Sequence, residues 1–155
     1  MAKAHTILFI CLGNICRSPA AEGIFKAKAA KTGLSVTLDS AGTGAWHVGH
    51  PPDERMVRAA VGRGYDLSAL RARRVDIGDF YVYDHILAMD ESNYTDLKEL
   101  QPPDGTATLS MMLDFGSGGE VPDPYYGGPD GFDHVIDLLE EASDGLLRHL
   151  KASHA

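Results

Sequence analysis

Residues 5–19 read HTILFICLGNICRSP, and this stretch sets the expected fold. The run from His5 to Cys11 is short and almost continuously apolar, which is typical of a strand buried on both faces of a parallel sheet. Ser18 is a suitable helix N-cap, and Pro19 suits the first helical position, where its missing N–H costs nothing. The stretch therefore predicts a strand, a tight loop and a helix.

The following residues extend this pattern into a βαβ unit. The helix ends at Gly33, and residues 34–38 alternate as a second strand that closes at residues 39–42. Further on, the sequence predicts a helix from 51–53 to about Val61, a strand at 86–89, a helix to about Leu100, a weak strand within 106–113, a polar loop over 116–131 and an amphipathic helix over 132–150. Residues 67–75 fit either a turn with a short strand or a short helix. We expect one α/β domain over residues 1–155, a four-stranded parallel sheet with helices on both faces.

Composition narrows the class of protein. The chain has 155 residues, 44% of them apolar, and a net charge of −8. This charge argues against a nucleic-acid partner, since nucleic-acid binders usually carry a basic excess. No apolar stretch is long enough to span a bilayer, and the N-terminus lacks a signal-peptide cleavage site. The only two cysteines provide no disulfide framework and no zinc-site spacing. We therefore expect a cytoplasmic protein without metal or cofactor.

The loop after the first predicted strand, residues 11–18, is expected to bind phosphate and is called the phosphate loop below. Backbone N–H groups of a loop that turns into a helix converge on one point, where the helix dipole favours an anion. Gly13 and Asn14 tolerate the left-handed torsions that such a loop requires. Arg17 offers a planar fork for two phosphate oxygens, and the same field favours the nucleophilic thiolate of Cys11. The predicted phosphate-binding residues are Leu12, Gly13, Asn14, Ile15, Cys16, Arg17 and Ser18.

These residues also carry a family resemblance. Residues 11–19, CLGNICRSP, are similar to the signature of the low-molecular-weight protein tyrosine phosphatases. Residues 39–43 (DSAGT), 88–93 (AMDESN) and 123–126 (DPYY) resemble the same family, so the likeness covers essentially the whole chain. It implies a four-stranded parallel sheet and metal-independent hydrolysis of phosphotyrosine through a cysteinyl-phosphate. The substrate would be a phosphotyrosine protein or a small aryl phosphate, and inorganic phosphate would be the product.

A general acid must come from outside the phosphate loop, which has none. A phenolate departs more easily when it is protonated as its bond to phosphorus breaks. Asp123, in a Gly/Pro-rich segment stiffened by Pro124, is the candidate. An Asp-Pro pair in a loop is usually a turn former, but the resemblance implies that Asp123 protonates the leaving group and then activates water.

Aromatic residues near these segments are candidates for the substrate cleft. Trp46 follows the second strand, and Tyr125 and Tyr126 follow the predicted acid. Lone surface aromatics are commonly packing residues. The resemblance instead implies that they wall a cleft deep enough for a phenyl ring. The histidines are expected at the surface.

The resemblance also implies support for the strained loop. Ser18 would donate to the sulfur of Cys11, and Ser40 and Asn93 would hydrogen-bond Asn14, although strand-end and helix-cap duty would also explain the last two. Leu70 is a departure, because the family often has a histidine there that supports the loop. Without that histidine, the sequence does not say which residue completes the hydrogen-bond network behind the loop.

The second cysteine, Cys16, has two interpretations. After oxidation of Cys11 to a sulfenic acid, Cys16 could form a reversible disulfide with it. Alternatively, Cys16 is a buried thiol behind the loop, and the sequence does not fix the distance between the sulfurs.

Four rival functions, the first two of them on the same fold, are less well supported. An arsenate reductase needs further resolving cysteines outside the loop, and this chain has none. A phosphoarginine phosphatase typically has threonine where this chain has Ile15. A non-catalytic phosphate-binding module would lack Cys11 or Asp123, and a cysteine-based redox protein would need a Cys-x-x-Cys pair.

Overall fold

The computed structural model describes residues 4–125, 127–128 and 130–153. The elements, in chain order, are β1 (His5–Cys11), α1 (Arg17–Thr32), β2 (Val36–Gly42), α2 (Glu54–Val61), α3 (Asp79–Val82), β3 (His85–Ala88), α4 (Glu91–Leu100), β4 (Thr108–Met111), a 3-10 turn (Met112–Phe115) and α5 (Asp130–Ser153). The four strands form one parallel sheet in the order β2-β1-β3-β4. The predicted α/β fold with a four-stranded parallel sheet is confirmed.

The central strand β1 explains why helices cover both faces of the sheet. Its side chains alternate between two cores, with Ile7 and Phe9 in one and Leu8 and Ile10 in the other, and all four are fully buried. The first core is filled mainly by α1 and α5, and the second by α3 and α4. A strand buried on both faces reads as a continuous apolar run, which is how it was recognisable in the sequence.

Strand β2 is longer than its local sequence predicts. It continues through residues 39–42, which we expected to close the strand. The reason is tertiary, because β1 pairs with β2 along its whole length, from His5 opposite Val36 to Cys11 opposite Gly42. This pairing overrides the weak strand preference of aspartate and glycine.

The start of α1 also differs from the expectation. The helix begins at Arg17, and its N-cap, Cys16, makes no capping hydrogen bond through its side chain. Ser18 is therefore not the N-cap but lies in the first turn, fully buried. No side chain caps this helix end, and the N–H of Ser18 in its first turn donates to the sulfur of Cys11 instead.

Two other stretches are settled by the structure. Residues 67–75 form no helix, and within them Arg74 makes a single parallel bridge to Gly42. The short helix α3 was not predicted. None of the helices in the described ranges is both long and apolar enough to cross a membrane.

Candidate active site

The phosphate loop lies at the carboxyl end of β1, in the centre of the sheet. Cys11 ends the strand and is buried, with 2% of its surface exposed. Its Sγ lies 3.0 Å from Ser18 Oγ, and the backbone N–H of Ser18 donates to the same sulfur over 3.5 Å. Two groups in the first turn of α1, the hydroxyl and the backbone N–H of Ser18, therefore contact the sulfur of Cys11.

Three carbonyl groups of the loop accept hydrogen bonds from residues outside it. The backbone N–H of Thr43 donates to the carbonyl of Cys11, and that of Gly44 donates to the carbonyl of Leu12. On the other side, the N–H of Asp53 donates to the carbonyl of Ile15 over 2.7 Å. With these oxygens occupied outside, the loop is left to present N–H groups to an anion.

The side chain of Asn14 connects the loop to its support. Asn14 has a φ of 57°, in the left-handed region expected for it. Its Nδ2 donates to Ser18 Oγ over 2.8 Å, and its Oδ1 accepts from the backbone N–H of Arg73 over 3.0 Å. Because Ser18 Oγ accepts from Asn14, its own hydrogen is available for the sulfur of Cys11.

Ser40 and Asn93, which we expected to hydrogen-bond Asn14, have other partners, so this prediction was wrong. Ser40 Oγ donates to Glu22 Oε1 over 2.7 Å, because both side chains are buried between β2 and α1. Burial raises the pKa of Glu22, and the hydrogen bond from Ser40 opposes that shift in part. Asn93 instead completes a capping box with Asp90 at the start of α4.

The departure at Leu70 does not leave Asn14 unsupported. Leu70 packs against the main core as a partly buried apolar side chain. The support comes three residues later, from the main chain of Arg73, whose side chain pairs with Asp39 and Asp79. The backbone N–H of Arg73 thus supports Asn14 in this chain without a histidine at position 70.

Arg17 is held by three groups. Its Nη1 donates to Asp90 Oδ2 over 2.6 Å and to the carbonyl of Val121 over 3.1 Å, and its Nη2 lies 3.7 Å from Asp123 Oδ2. Burial opposes its charge, but Cys11, Asp90 and Asp123 together raise the pKa of Arg17. The guanidinium therefore stays charged and oriented.

Asp90 is a site residue that the sequence analysis missed. A signal was present, since Asp90 comes directly after the buried strand predicted at 86–89, in a chain expected to form a parallel sheet. The carboxyl ends of neighbouring parallel strands meet at one edge, where ligands bind. Its carboxylate orients the guanidinium of Arg17, which we expected to bind phosphate.

Asp123 lies at the edge of the same site. Its side chain is 41% exposed, and its Oδ1 accepts from the backbone N–H of Tyr125 over 3.1 Å. The following Pro124 is buried, and the N–H of Val121 donates to the carbonyl of Met89. The segment thus holds a carboxyl group within reach of solvent and beside the phosphate loop.

A cleft of about 390 Å³ opens above the phosphate loop. Trp46, His47, Asp123 and Tyr125 line it together with loop residues. Trp46 is 71% exposed and its ring lies against Gly44. The cleft therefore joins the thiol, the arginine and the carboxyl group to an aromatic wall. The remaining predicted cleft residue, Tyr126, lies outside the described residues.

His47 was expected at the surface but lines this cleft. Its ring packs over Gly13 of the phosphate loop, and it lies 6.4 Å from the ring of Tyr125, between centroids. Only the turn after β2 brings it there, so nothing in its local sequence pointed to the site.

Cys16 is a buried free thiol, as is Cys11. Burial, together with the carboxylate of Asp53, raises the pKa of Cys16, so this sulfur stays protonated. The ionisable side chains within the described residues form no group of three or more His, Cys, Asp or Glu that could hold a metal ion.

Comparison with known proteins identifies the family. The family model for low molecular weight phosphotyrosine protein phosphatases matches residues 6–155. The chain belongs to this family. It is accordingly an enzyme, a hydrolase of the protein-tyrosine-phosphatase class.

Relatives of this phosphatase support the assignment over the full chain. A low molecular weight phosphotyrosine protein phosphatase of Schizosaccharomyces pombe is 40% identical over 156 residues, covering 97% of this chain and 99% of that protein. The crystal structure of a protein tyrosine phosphatase from Entamoeba histolytica superposes with a TM-score of 0.92 at 41% identity, covering 98% and 100% of the two chains. A Drosophila arginine phosphatase superposes with a TM-score of 0.89 at 31% identity, covering 94% and 97%.

Proposed function

We propose that this phosphatase hydrolyses phosphotyrosine, in proteins or as small aryl phosphates, through a cysteinyl-phosphate on Cys11. The observation that carries the proposal is the convergence of Cys11, Arg17 and Asp123 on one cleft. A nucleophile, a phosphate clamp and a carboxyl group in one place are the set that phosphomonoester hydrolysis requires. The proposal treats residues 1–155 as one phosphatase domain.

Binding begins with the phosphate in the loop. Within the described residues, the backbone N–H groups of residues 13–16 donate to no backbone carbonyl, which suits an anion at the loop's centre. Arg17, already oriented by Asp90, holds two equatorial oxygens. The aryl ring then occupies the cleft between Trp46 and Tyr125.

In the first step, the Cys11 thiolate attacks phosphorus. The S–P bond forms as the P–O bond to the aryl group breaks, and Asp123 gives its proton to the departing phenolate oxygen. Such general acid catalysis contributes ~10²–10⁴-fold to the rate. The exposed carboxyl group of Asp123 suits this role, because it lines the same cleft as the sulfur-bearing Cys11.

In the second step, water replaces the sulfur. Asp123, now a carboxylate, takes a proton from water as its oxygen attacks phosphorus, and the S–P bond breaks. Inorganic phosphate forms, and the electron pair returns to Cys11 as a thiolate. The hydroxyl of Ser18, 3.0 Å from Cys11 Sγ, donates to that thiolate and makes it a better leaving group. No step of this scheme uses a metal.

The nucleophile also suggests a compartment. Cys11 must stay reduced to act, and both cysteines are free thiols. Thiols persist in reducing compartments, so we place the phosphatase in the cytoplasm.

A phosphoarginine substrate is the closest alternative, because a Drosophila arginine phosphatase shares the fold. Ile15 lines the cleft of this chain. An apolar side chain there suits an aryl ring better than a guanidinium, because it offers no acceptor to the guanidinium N–H groups.

The test is release of p-nitrophenol from its phosphate ester, with a chelator present, by wild type, Cys11→Ser and Cys16→Ser. We expect Cys11→Ser to lose activity and Cys16→Ser to keep most of it. Full activity in Cys11→Ser would contradict the mechanism. The same enzymes assayed on phosphotyrosine and phosphoarginine decide between the two substrates.

Asp123→Ala tests the acid separately. Its kcat/KM should fall much less with p-nitrophenyl phosphate, whose leaving group needs no proton, than with phosphotyrosine. Equal losses on the two substrates would remove Asp123 as the acid.

A further inference from the structure

We propose that Arg55 is a positioning residue that holds the Asp123 segment over the phosphate loop, so that protonation of the leaving group depends on it. The inference rests on the proposed function, which makes Asp123 the acid. Nothing in the local sequence around Arg55 indicates this role, because its contacts come from three separate parts of the chain.

The guanidinium of Arg55 is fixed first by its own helix end. Asp53, the N-cap of α2, accepts the backbone N–H of Arg55 over 2.8 Å. The same carboxylate accepts from Arg55 Nε over 3.1 Å and from Nη2 over 2.9 Å, which is a bidentate pair. A planar fork held at two points has one orientation.

That orientation places the guanidinium over two aromatic rings. Arg55 Cζ lies 5.2 Å from the ring centroid of Tyr125 and 4.8 Å from that of Phe132. Both distances fall within the range of a cation–π contact. Tyr125 belongs to the acid segment and Phe132 to the start of α5, so Arg55 joins the two at α2.

The contact with Tyr125 reaches the acid through one hydrogen bond. The backbone N–H of Tyr125 donates to Asp123 Oδ1 over 3.1 Å, and this leaves Oδ2 facing Arg17. Displacement of Tyr125 would therefore turn or shift the carboxyl group that carries the proton. A shift of about 1 Å in such a group can cost ~10²-fold in rate.

The other end of this connection is the phosphate loop itself. The backbone N–H of Asp53 donates to the carbonyl of Ile15 over 2.7 Å. The N-terminus of α2 therefore contacts the loop that holds the phosphorus and, through Arg55, the segment that holds the acid. It sets the distance between the two reacting partners of the first step.

A purely structural role for Arg55 would give a different result from a positioning role. If Arg55 only fastens α2 to α5 through Phe132, its loss changes stability and affects all substrates alike. If it positions the acid, its loss affects most the substrates whose leaving group needs a proton. Tyrosine, with a phenol pKa of ~10, is such a leaving group, and p-nitrophenol, a much stronger acid, is not.

The experiment compares kcat/KM for phosphotyrosine and for p-nitrophenyl phosphate in wild type, Arg55→Met, Arg55→Lys and Asp123→Ala. Arg58→Met is the control, since Arg58 lies one turn further along α2 and has 69% of its side chain exposed. Within the part of the chain that the structure describes, Arg58 forms an ion pair only with Glu54. The ratio of the two values is taken from one preparation of each enzyme. Any unfolded fraction then cancels, so partial misfolding of a variant leaves the result interpretable.

We expect Arg55→Met to lower kcat/KM for phosphotyrosine by about tenfold more than for p-nitrophenyl phosphate, a part of the cost of a misplaced group. Arg55→Lys keeps the charge but not the fork, and it should lie between Arg55→Met and wild type. Arg58→Met should keep the wild-type ratio.

Two results would overturn the inference, and they are distinguishable. If Asp123→Ala changes the ratio and Arg55→Met does not, Asp123 is the acid and Arg55 only fastens the helices. If neither variant changes the ratio, Asp123 is not the acid, and the proposed function fails at that point together with the role of Arg55.

Discussion

The guanidinium of Arg17 lies 2.6 Å from the carboxylate of Asp90, and only 3% of the Arg17 side chain is exposed. The two residues stand at the carboxyl ends of neighbouring parts of the sheet, Arg17 after β1 and Asp90 after β3. The carboxylate of Asp90 thus holds the guanidinium fork of Arg17 at the cleft that Arg17 and Cys11 both line. Preorganisation of this kind spares the reaction the cost of reorienting a charged group.

Removal of Asp90 should therefore affect both stability and catalysis. Asp90→Ala leaves a buried guanidinium without its carboxylate and removes the N-cap of α4. We expect a loss of about 2–3 kcal/mol in the free energy of unfolding, less than the ~3–5 kcal/mol of a fully buried pair, because the Asp90 side chain is 21% exposed. The KM for aryl phosphates should rise as well. Urea unfolding and steady-state kinetics measure the two effects.

Asp96→Ala is the matched control for that variant. Asp96 lies on the same helix and is exposed, so its loss should change stability by less than about 0.5 kcal/mol. If Asp90→Ala and Asp96→Ala change the free energy of unfolding and the KM equally, Asp90 does not stabilise or orient Arg17.

Ser18→Ala should slow the second chemical step more than the first. The variant loses the hydroxyl that faces Cys11 Sγ and leaves Asn14 Nδ2 without its acceptor. A hydrogen bond to a charged group is worth ~1.5–3 kcal/mol, so kcat should fall by about tenfold or more. Rapid mixing with p-nitrophenyl phosphate should show a burst of p-nitrophenol followed by a slow steady state. Ser35→Ala, at an exposed site before β2, should behave like wild type, and an unchanged kcat in Ser18→Ala would refute the role.

Gly44→Ala should weaken binding of the aryl group without touching the phosphate loop. A Cβ at Gly44 would overlap the ring of Trp46 and displace it from the cleft wall. An aromatic contact is worth ~0.5–1.5 kcal/mol, so the KM for phosphotyrosine should rise roughly 2- to 10-fold. Inhibition by inorganic phosphate should be unaffected.

Gly62→Ala provides the comparison for the glycine substitution. Gly62 ends α2 with helical torsions, and a Cβ there meets only ordinary contacts. If Gly44→Ala and Gly62→Ala have the same KM for phosphotyrosine, Trp46 does not contribute to the cleft.

The pH dependence of stability should contain a contribution from His85. Burial, opposed in part by the carboxylate of Asp84, lowers the pKa of His85, and His149 and His5 add to the lowering. The unfolded chain therefore binds this proton more readily than the folded one, so stability declines as the pH falls below about 6.5, the ordinary histidine value. In His85→Gln, urea unfolding across this range should show a smaller decline. An identical decline in wild type and variant would exclude His85 as its source.

The sequence predicted the parts of this site that are local in the chain. The buried strand, the tight loop and the helix start follow one another within residues 5–19, so short-range patterns placed Cys11 and Arg17 correctly at the junction of β1 and α1. The sheet followed from the same reasoning, because a strand buried on both faces requires helices on both sides.

The parts that were missed depend on tertiary packing. Asp90 and the backbone of Arg73 are more than fifty residues from their partners, at |i−j| of 73 and 59. His47 reaches the cleft only through the turn after β2. Ser40 was expected to hydrogen-bond Asn14. Because β2 packs on α1, Ser40 instead donates to Glu22. A local sequence pattern does not predict which side chains come into contact when two distant helices or strands pack together.

The central claim is a covalent phosphate on Cys11, and trapping that intermediate tests it most directly. The phosphatase is mixed with p-nitrophenyl phosphate, quenched in acid within the first turnover, digested and examined by mass spectrometry. We predict one phosphoryl group on the peptide that contains Cys11, and none in Cys11→Ser treated in the same way. A quenched wild-type enzyme that releases p-nitrophenol in a burst yet carries no phosphoryl group on Cys11, or carries it on another residue, would contradict the account.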